Sequence, residues 1–571
     1  MRVLGIEGTA WCASAALYDA ETDSVLIESN PYEPDSGGIH PREAAEHMSE
    51  AIPEVVDAVL TAAEAEHGPD AIDAVAFSKG PGLGPCLRTV ATAARALTGT
   101  LDVPLVGVNH MVAHLEIGRH QSGFENPVCL NASGANAHLL GYHDGRYRVL
   151  GETMDAGVGN AIDKFTRHVG WDHPGGPKVE AAAAEAAAER DPDAGLVDLP
   201  YVVKGMDFSF SGISSAANDA YDDGVPVDEI CFSLQEHVFA MLTEVSERAL
   251  SLTGADELVL GGGVAQNDRL RGMLSTMCAS RGADFHAPEP RFLRDNAGMI
   301  AVLGAQMAAA GDTIQIADSA IDPNFRPDQV PVTWREDDAS VARGRGDRER
   351  EDGEWEDGEW ENAGGAERRG AEATVAFAAA GENEGAATGE TRRVIKRRVP
   401  KRYRHPELDR ALRWDRTVAE ARLTSEARRA GVPTPLVYDV DVPAATLTLQ
   451  HVGDRDLAAD LDERWTTAVG RHLGRLHEAG IVHGDPTTRN VRIGRRGEGD
   501  ARATLIDFGL AYHTGHVEDH AMDLHVFEGS VRATATAPDS LIEAFEAGYA
   551  EAGDGDVLDR LRTVEGRGRY R

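Results

Sequence analysis

The 571-residue sequence lacks several features that would place it outside the cell or in a membrane. Its five cysteines are scattered without a C-x-x-C pair, which disfavours a disulfide framework and a zinc ribbon. No run of about 18 apolar residues occurs, and the start, MRVLGIEGTAW, has neither the cationic nor the apolar part of a secretion signal. We therefore expect a cytoplasmic protein with reduced cysteines and no membrane contact.

Lysine is scarce as well. Only six of the 56 basic residues are lysines, and 95 acidic residues give a formal net charge of -39. Such a surface repels itself at low salt, whereas at molar salt the Debye length falls to roughly 3 Å and the repulsion is screened. The balance indicates a halophilic protein adapted to a salt-rich cytoplasm. It does not exclude nucleic-acid binding, because local basic segments matter more than the total charge.

The chain length predicts two or three domains. Residues 336–366 contain almost no aliphatic side chains and repeat EDGEW in tandem, so this segment cannot bury enough surface to offset its ordering entropy. We predict an acidic disordered linker there, between a domain of residues 1–335 and a second domain of residues 367–571. A low-complexity stretch at residues 378–390 precedes the strand-like RRVIKRR, and we predict a long hairpin connection.

Residues 1–335 alternate strand-like and helical stretches. RVLGIEG, SAALYD and SVLIES predict a three-strand meander, and a long amphipathic helix follows over residues 41–67. A second cycle begins near PVCLNASGAN, and ELVLGGGVAQN predicts a later strand. Five glycine-rich turns favour a nucleotide in a cleft between two α/β halves, since glycine lets backbone N–H groups approach a phosphate. These turns are GIEGTA, KGPGLGPCLR, NASGAN, HPGGPKVE and GGGVAQN.

Two histidines in NHMVAHLEIGR are candidate metal ligands. His110 and His114 lie four residues apart, so a helix would present both on one face. A lone histidine is more often a core residue, and this pair still needs a third ligand. Asp295, in RDNAGMI, follows a strand-like segment and opens an apolar helix, so it could return to the same cleft. Two neutral imidazoles and a carboxylate suit Fe(II), Mn or Zn, with positions left open for substrate.

The motifs of residues 1–335 resemble a known family. GIEGTA, GPGLGPCLR, VNHMVAHLEIGR, GNAIDKF, HPGGPKVE, KGMDFSFSGI, GGGVAQN and DNAGMI occur in the order found in the tRNA threonylcarbamoyladenosine-synthesis transferase of the archaeal and eukaryotic KEOPS type. The resemblance implies an α/β fold of the duplicated actin/Hsp70-like (ASKHA) type. It also implies transfer of the threonylcarbamoyl group from threonylcarbamoyl-AMP to N6 of the adenosine beside the anticodon, in tRNAs reading ANN codons.

The same resemblance implies site residues. The metal ligands fall on His110, His114 and Asp295, and Fe(II) is the first choice of metal, with Zn or Mn as alternatives. Contacts to the adenylate fall on Asn131, Ala132, Ser133, Gly134, Ala135, Asp163, Gly176, Glu180 and Asn267. Two positions depart from the family pattern. Asn131 stands where a tyrosine is usual, which removes a phenolate-type ligand, and Trp11 stands where a histidine is commoner.

The second domain has the signature of a small kinase. IVHGDPTTRN places Asp485 five residues before Asn490, as in a catalytic loop with a base-like aspartate and an asparagine for magnesium. LIDFGLA supplies Asp507 as the main magnesium ligand. Lys396, in the strand RVIKRR, and Glu420, in a helix, predict the pair that positions ATP. Only 62 residues follow the glycine of DFG and no A-P-E element is present, which disfavours a broad-specificity protein kinase.

RRGAEATVAF, KRRVPKRYRHPELD, HGDPTTRN, EDHAMDLHVF and EGRGRYR resemble the small atypical serine/threonine kinase of the same KEOPS complex. The resemblance implies an α+β protein-kinase-like domain that uses ATP and Mg, in which GAEA, beginning at Gly370, replaces the glycine-rich phosphate loop. It implies an ATPase or autophosphorylating activity that supports the transferase. Implied partners are tRNA, a small dimerising KEOPS subunit and a further accessory protein. The cations of residues 392–404 and of the terminal RGRYR predict contact with the tRNA backbone.

Two other functions stay open at this point. The first domain also resembles proteins long labelled O-sialoglycoprotein metalloproteases, although HMVAH lacks the general-base glutamate of H-E-x-x-H. The chain could instead be a kinase-regulated scaffold with a degenerate transferase domain, an interpretation that Asn131 favours. Assays of tRNA modification, glycoprotein cleavage and ATP hydrolysis separate the three functions.

Overall fold

The structure is a computed structural model that describes residues 1–32, 39–134, 136–143, 145–191, 195–335, 367–378, 393–495 and 501–564. Several expectations fall on other residues. The linker of residues 336–366, the hairpin connection beyond residue 378, Ala135 and the terminal RGRYR all lie outside the described residues. In the part of the chain that the structure describes, every helix is too short or too polar to cross a lipid bilayer.

The first α/β unit begins with the predicted meander. Its strands and helices are β1 (Arg2–Glu7), β2 (Cys12–Asp19), β3 (Ser24–Pro31), α1 (Pro41–His67), β4 (Ala74–Gly80), α2 (Gly84–Leu101), β5 (Leu105–Asn109) and α3 (His110–Ser122). The sheet has the order β3-β2-β1-β4-β5, in which β1, β2 and β3 pair antiparallel and β4 and β5 continue the sheet in parallel. The meander and the long helix over residues 41–67 are therefore confirmed.

The second unit repeats this plan. Its elements are β6 (Val128–Ala132), β7 (Ala137–His143), β8 (Arg146–Glu152), α4 (Val158–His168), α5 (Gly176–Glu189), β9 (Val203–Lys204), β10 (Asp207–Phe208), α6 (Ser211–Asp222), α7 (Val227–Thr253), β11 (Glu257–Gly261), α8 (Asp268–Arg281), β12 (Asp284–His286), α9 (Pro290–Leu293) and α10 (Ala297–Ala309). The sheet order β8-β7-β6-β11-β12 matches the first sheet strand for strand, with the same antiparallel and parallel pairs. The fold is the predicted duplicated α/β type.

Helices α3 and α10 pack against each other between the two sheets and place the candidate metal ligands. These helices approach neighbouring strands closely at two positions, and both positions are glycines. A Cβ added to Gly118 of α3 would lie 2.2 Å from Cγ1 of Val259 in β11, and one added to Gly5 of β1 would lie 2.5 Å from the carbonyl oxygen of Ala297 in α10. One local expectation is wrong, because the short helix α9, and not a strand, directly precedes Asp295. Pro290 suits the first turn of that helix, where its missing N–H would have no helical partner.

Residues 367–378, 393–495 and 501–564 form a kinase-like α+β unit. Its elements are β13 (Glu367–Arg369), β14 (Ala373–Ala378), β15 (Arg393–Arg398), α11 (Pro406–Arg429), β16 (Val437–Asp441), β17 (Thr446–Gln450), β18 (Arg455–Asp456), α12 (Glu463–Glu478), β19 (Ile481–Val482), β20 (Val491–Arg495), β21 (Ala501–Leu505), β22 (Tyr512–His513), α13 (Val517–Thr534), α14 (Pro538–Ala550) and α15 (Gly555–Val564). A five-stranded antiparallel sheet of order β13-β14-β15-β17-β16 carries α11, and a helical layer of α12 to α15 follows. Strands β14 and β15 pair as a hairpin, as predicted.

Helix α7 joins the transferase-like and kinase-like parts through buried ion pairs. Glu247 lies 2.7 Å from Nζ of Lys401, and Glu244 lies 2.6 Å from Nη2 of Arg404 and 3.0 Å from Nη2 of Arg416. Losing one partner of such a pair costs about 3–5 kcal/mol, because the other charge stays buried. These contacts hold the two parts together independently of the linker.

The expectation that the cations of residues 392–404 face tRNA is wrong for half of them. Lys396, Arg398, Lys401 and Arg404 are buried in ion pairs with carboxylates. A guanidinium or ammonium group that is buried and paired in this way cannot reach a phosphate. Arg397 and Arg402 remain exposed on this segment.

Candidate functional site

The three predicted metal ligands lie together. His110 and His114 are on α3, which Asn109 caps by accepting hydrogen bonds from two backbone N–H groups of the first turn. Asp295 lies in the turn between α9 and α10, and its Oδ1 is 3.4 Å from Nε2 of His110 and 3.3 Å from Nε2 of His114. One ligand atom from each of the three residues lies within 4.8 Å of the others.

This geometry fits a divalent metal ion. Ligand atoms about 2.1 Å from one ion lie roughly 3.0–3.4 Å apart at octahedral or tetrahedral angles, and the carboxylate-to-imidazole separations here are 3.3 and 3.4 Å. Imidazole nitrogen with a hard carboxylate oxygen suits ions such as Fe(II), Mn or Zn. Three protein ligands also leave coordination positions for substrate or water.

Two further side chains orient these ligands, and neither was predicted as part of the site. Oε2 of Glu7 lies 3.1 Å from Nδ1 of His110, and Oε1 of Glu7 accepts a hydrogen bond of 2.7 Å from the backbone N–H of Thr9. The indole N–H of Trp11 donates to Oδ2 of Asp295 at 3.0 Å. Carboxylate contacts of this kind fix the tautomer and orientation of a metal-binding imidazole. Glu7 stands inside GIEGTA, a motif that predicts a glycine-rich turn and carries the family resemblance without marking Glu7 as a site residue.

The charges around the three candidate ligands set the pH range in which a metal ion can compete with protons for them. Burial opposes the charged form of His110, but the carboxylates of Glu7 and Asp295 outweigh it and raise the pKa of His110 to about 10. Burial lowers the pKa of His114. Burial alone would raise the pKa of Asp295, yet the neighbouring His110 and hydrogen bonds to both histidines lower it. A metal ion bound through Nε2 of His110 would therefore have to displace a proton from this side chain, because a ligating imidazole must be neutral.

A cavity of about 1050 Å³ opens beside the three candidate metal ligands. Its wall includes His110 and Asp295 together with most of the predicted adenylate contacts, namely Asn131, Ser133, Gly134, Asp163, Gly176, Glu180 and Asn267. Ala132 is buried in β6 behind this wall. Two of the three predicted metal ligands and most of the predicted adenylate contacts thus line one cleft, and His114 is buried beside them.

Backbone groups hold the polar side chains of this wall in place. Oδ1 of Asp163 accepts from the N–H of Gly175 at 2.7 Å, and Glu180 accepts from the N–H of Asp268 at 2.8 Å. Asn267 caps α8 by accepting from two N–H groups of its first turn. Helix α5 begins at Gly176 in the same wall, and the free N–H groups of a helix N-terminus favour an anion such as phosphate.

Asn131 has a histidine as its neighbour on the adjacent strand. His138 lies opposite Asn131 in the register of β6 and β7. Both residues are buried, and both line the cavity beside the candidate metal ligands. Oδ1 of Asn131 and Nε2 of His138 have no hydrogen-bond partner among the described residues. Burial and the neighbouring His114 and His110 lower the pKa of His138 to about 3, so this imidazole is neutral. Antiparallel register brings the pair together, and no sequence spacing rule identifies it.

The kinase-like part assembles a second site from the predicted residues. Nζ of Lys396 lies 2.9 Å from Oε1 of Glu420 and 2.7 Å from Oδ1 of Asp507. Asn490 donates from Nδ2 to Oδ2 of Asp485 at 2.9 Å. Burial would raise the pKa of Asp507, but Lys396 and a neighbouring arginine lower it. A carboxylate that stays ionised beside a lysine–glutamate pair can hold magnesium and nucleotide phosphates.

Gly370, the first residue of GAEA, lies in the turn that joins β13 to β14, and its N–H donates to the carbonyl of Ala373 at 2.8 Å. This turn stands at the edge of the sheet that carries Lys396. The next residues of GAEA are held by cations from elsewhere, since Glu372 pairs with Arg416 at 2.6 Å and with Arg404 at 3.2 Å.

An arginine of the first part enters the kinase-like site. Nη1 of Arg248, near the end of α7, lies 2.8 Å from Oδ2 of Asp485, and its Nη2 lies 3.0 Å from Oε1 of Glu244. Burial raises the pKa of Asp485, and Arg248 opposes that rise. The sequence analysis missed Arg248, because a contact between residues 237 positions apart leaves no local pattern.

The fold and the two sites define an enzyme of two parts. A duplicated α/β unit places a candidate metal cluster on a large cleft, and a kinase-like unit carries the lysine, glutamate and aspartate of an ATP site.

Comparison with known proteins agrees with this description. The family model of tRNA N6-adenosine threonylcarbamoyltransferase (TsaD) matches residues 22–302, and that of the lipopolysaccharide kinase (Kdo/WaaP) family matches residues 443–549. A probable bifunctional tRNA threonylcarbamoyladenosine biosynthesis protein of Halobacterium salinarum is 67% identical over 573 residues, covering 100% of this chain and 99% of that protein. Its counterpart in Haloquadratum walsbyi is 64% identical and covers 100% of both chains.

A crystal structure of T. kodakarensis HypF covers 56% of this chain and 50% of its own, with 13% identity and a TM-score of 0.39, which is too low to add to the assignment. The full-length relatives decide the matter. The chain belongs to the family of bifunctional tRNA threonylcarbamoyladenosine biosynthesis proteins, in which a transferase is fused to a kinase-like domain. This favours the transferase over the metalloprotease and scaffold interpretations.

Proposed function

We propose that the cleft of the first part transfers the threonylcarbamoyl group from threonylcarbamoyl-AMP to N6 of the adenosine beside the anticodon, in tRNAs reading ANN codons. The observation that carries this proposal is the cluster of His110, His114 and Asp295, because His110 and Asp295 line the cavity that also contains most of the predicted adenylate contacts. A donor and a polarising metal must share one cleft if an acyl group is to pass to RNA.

The metal is proposed to be Fe(II), with Zn or Mn as alternatives, held by His110, His114 and Asp295. When bound, the metal would act as a Lewis acid towards the threonylcarbamoyl group. Glu7 keeps Nδ1 of His110 engaged, so that Nε2 faces Asp295 and the metal position. Asn131 replaces the usual tyrosine and supplies an amide where a phenolate is expected.

The remaining residues of the cleft are proposed to hold the AMP part of the donor. The turn that contains Ser133 and Gly134 and the start of α5 at Gly176 present backbone to the cavity. Asp163, Glu180 and Asn267 are fixed by backbone hydrogen bonds on the same wall, so they are preorganised to recognise ribose or base. Ala132 and Ala135 complete the proposed adenylate turn.

The kinase-like part is proposed to bind ATP and Mg and to support the transferase cycle by ATP hydrolysis or autophosphorylation. Lys396, Glu420, Asn490, Asp507 and Gly370 are the proposed nucleotide and magnesium contacts. Asp485 is the proposed catalytic base. Its ion pair with Arg248 ties this site to the transferase part.

The domain limits and partners are also proposals. Hydrophobic clusters centred in each part support a transferase domain of residues 1–335, a linker of residues 336–366 and a kinase domain of residues 367–571, and Tyr403 and Ala533 of the second part pack into a cluster of the first. The resemblance to the KEOPS proteins supports assembly with a small dimerising subunit and an accessory protein. Contact with tRNA through Arg397 and Arg402 is consistent with their exposure. A cytoplasmic location remains an expectation from the sequence.

Reconstitution in molar KCl with tRNA and threonylcarbamoyl-AMP tests the proposal. We expect the intact chain to modify tRNA and His110→Ala to abolish modification. Asp485→Ala should abolish ATP turnover and spare a single round of transfer, which makes it the matched control. Retained modification by His110→Ala would refute the metal assignment, and cleavage of a glycoprotein substrate would point to the metalloprotease instead.

A further inference from the structure

Trp11 makes a contact that distinguishes the two oxygens of Asp295. The residue lies between β1 and β2, directly before Cys12, and its indole N–H donates to Oδ2 of Asp295 at 3.0 Å. The other oxygen, Oδ1, faces Nε2 of both His110 and His114. One carboxylate oxygen is therefore engaged by protein while the other faces the metal position.

The backbone around this contact is fixed by a second bond between the same two segments. The N–H of Ala297, the first residue of α10, donates to Oγ of Ser14 in β2 at 3.1 Å. The carbonyl of Trp11 also accepts from the N–H of Tyr32 at 2.6 Å. Both partners of the indole–carboxylate bond are thus held by sheet and helix, and their separation does not depend on a mobile side chain alone.

The chemistry of indole limits what Trp11 can do. Its ring nitrogen is a donor without an available lone pair, so tryptophan cannot itself become a metal ligand. An imidazole at this position could either donate or ligate. A free carboxylate can bind a metal through one oxygen or through both. The residue at position 11 therefore influences how many ligand atoms the protein supplies.

We propose that Trp11 is a positioning residue of the metal site: its hydrogen bond to Oδ2 holds Asp295 to a single metal-facing oxygen and keeps a coordination position open towards the cavity. This inference rests on the proposed metal site. A position left open in this way would be available to the donor substrate, so the restriction would favour substrate binding over closure of the site by protein.

The alternative is that Trp11 only packs in the cleft. The ring is partly buried and lies 5.9 Å from the guanidinium of Arg294. A packing role predicts that substitution lowers stability and leaves the metal's surroundings unchanged. A positioning role predicts that the surroundings change even in a variant that folds normally.

The test uses the full-length chain loaded with Co(II), whose visible absorption reports coordination number. Trp11→Phe keeps an aromatic ring and removes the N–H, so Asp295 becomes free to bind through both oxygens. We expect weaker, shifted visible bands, typical of higher coordination, and metal affinity about 10-fold weaker, as for loss of an outer hydrogen bond. Trp11→His provides a second variant that keeps a ring at this position and should also differ from the native spectrum, because imidazole adds a lone pair.

Trp414→Phe is the matched control, since this tryptophan is 50% exposed on α11 of the kinase-like part. It should reproduce the native Co(II) spectrum. If both position-11 variants bind Co(II) with the native spectrum, the inference is overturned, even if they are less stable. If the intact chain itself binds no Co(II), or binds it without His110, the metal site proposed above is wrong, which is a different failure.

Discussion

At the scale of single residues, buried carboxylates decide how the protein responds to pH. Asp207, in β10, is buried with its Oδ1 accepting from the N–H of Glu152 at 2.8 Å, and Oδ2 lies 3.9 Å from Nε2 of His525. Burial raises the pKa of Asp207 to about 7, with a further rise from the charge of Glu152. The ionised form of Asp207 is therefore costly in the folded state.

Asp207→Asn should therefore stabilise the protein at alkaline pH. A pKa that folding raises gives stability that is complete below the unfolded value near 4 and is lost as pH rises through the folded value near 7. Asparagine keeps the acceptor and cannot ionise. Urea unfolding in molar KCl should show no advantage at pH 4 and an advantage of up to about 4 kcal/mol at pH 8, at about 1.36 kcal/mol per pKa unit.

Asp519→Asn is the control with the opposite sign. Burial opposes the ionised form of Asp519, yet hydrogen bonds from Lys204 and Thr514 lower its pKa. Its contribution is present above the unfolded pKa and is lost as the pH falls through the folded value. This variant should be less stable than the native protein at pH 8, with the difference fading under acid. Equal pH profiles for the two variants would contradict the assignment of both groups.

At the scale of elements, the ends of helices place the chemistry. Asn109 ends β5 and caps α3 directly before His110, and its Nδ2 also donates to the carbonyl of Phe325 at 2.9 Å. The same side chain thus fixes the start of the helix and the angle at which both histidines enter the cleft. Asn296 does the equivalent for α10 beside Asp295, accepting from the N–H of Met299.

Asn109→Ala should cost about 1–2 kcal/mol of stability through the lost cap and should also weaken metal binding. The fraying first turn contains His110, so the ligand loses its fixed orientation. Asp462→Ala is the matched control, because Asp462 also caps a helix, α12 of the kinase-like part, by accepting from one backbone N–H group. It should lose similar stability with unchanged Co(II) affinity. A metal affinity equal in the two variants would show that the cap does not orient the ligands.

The site residues that the sequence predicted are those that a short stretch of chain brings together by itself. Helical spacing alone brings His110 and His114 to one face, and the DFG and catalytic-loop motifs place Asp507 and Asp485 after short strands. The contacts of Glu7 with His110 and of Trp11 with Asp295 span 103 and 284 positions, and only the packed sheets create them. For the same reason, the burial of the basic segment after Lys396 could not be foreseen from its composition.

At the scale of the whole molecule, the two catalytic parts meet at Asp485. Arg248 of α7 and Asn490 both contact Oδ2 of this aspartate, so one of its oxygens is engaged before any substrate arrives. A catalytic base must have an accessible lone pair. Because Asp485 is the proposed base, we expect its contact with Arg248 of the transferase part to restrain proton abstraction in the kinase-like part.

Arg248→Ala should raise basal ATP turnover several-fold, since it frees Asp485 while leaving Lys396, Glu420 and Asp507 in place. Arg248→Lys keeps a cation near the carboxylate and should remain close to the native rate. Steady-state phosphate release in molar KCl measures both variants. An unchanged or lower rate in the alanine variant, with native unfolding behaviour, would show that the ion pair does not restrain the site.

The burial of α7 has one more consequence. Glu244 and Glu247 bind the kinase-like part through buried ion pairs. The covalent connection therefore raises the effective concentration of each part near the other and contributes little to their relative placement. Two separately expressed polypeptides divided within residues 336–366 should find each other and reproduce the same arrangement. A fused gene and a pair of unfused genes would then encode proteins with the same arrangement of the two parts.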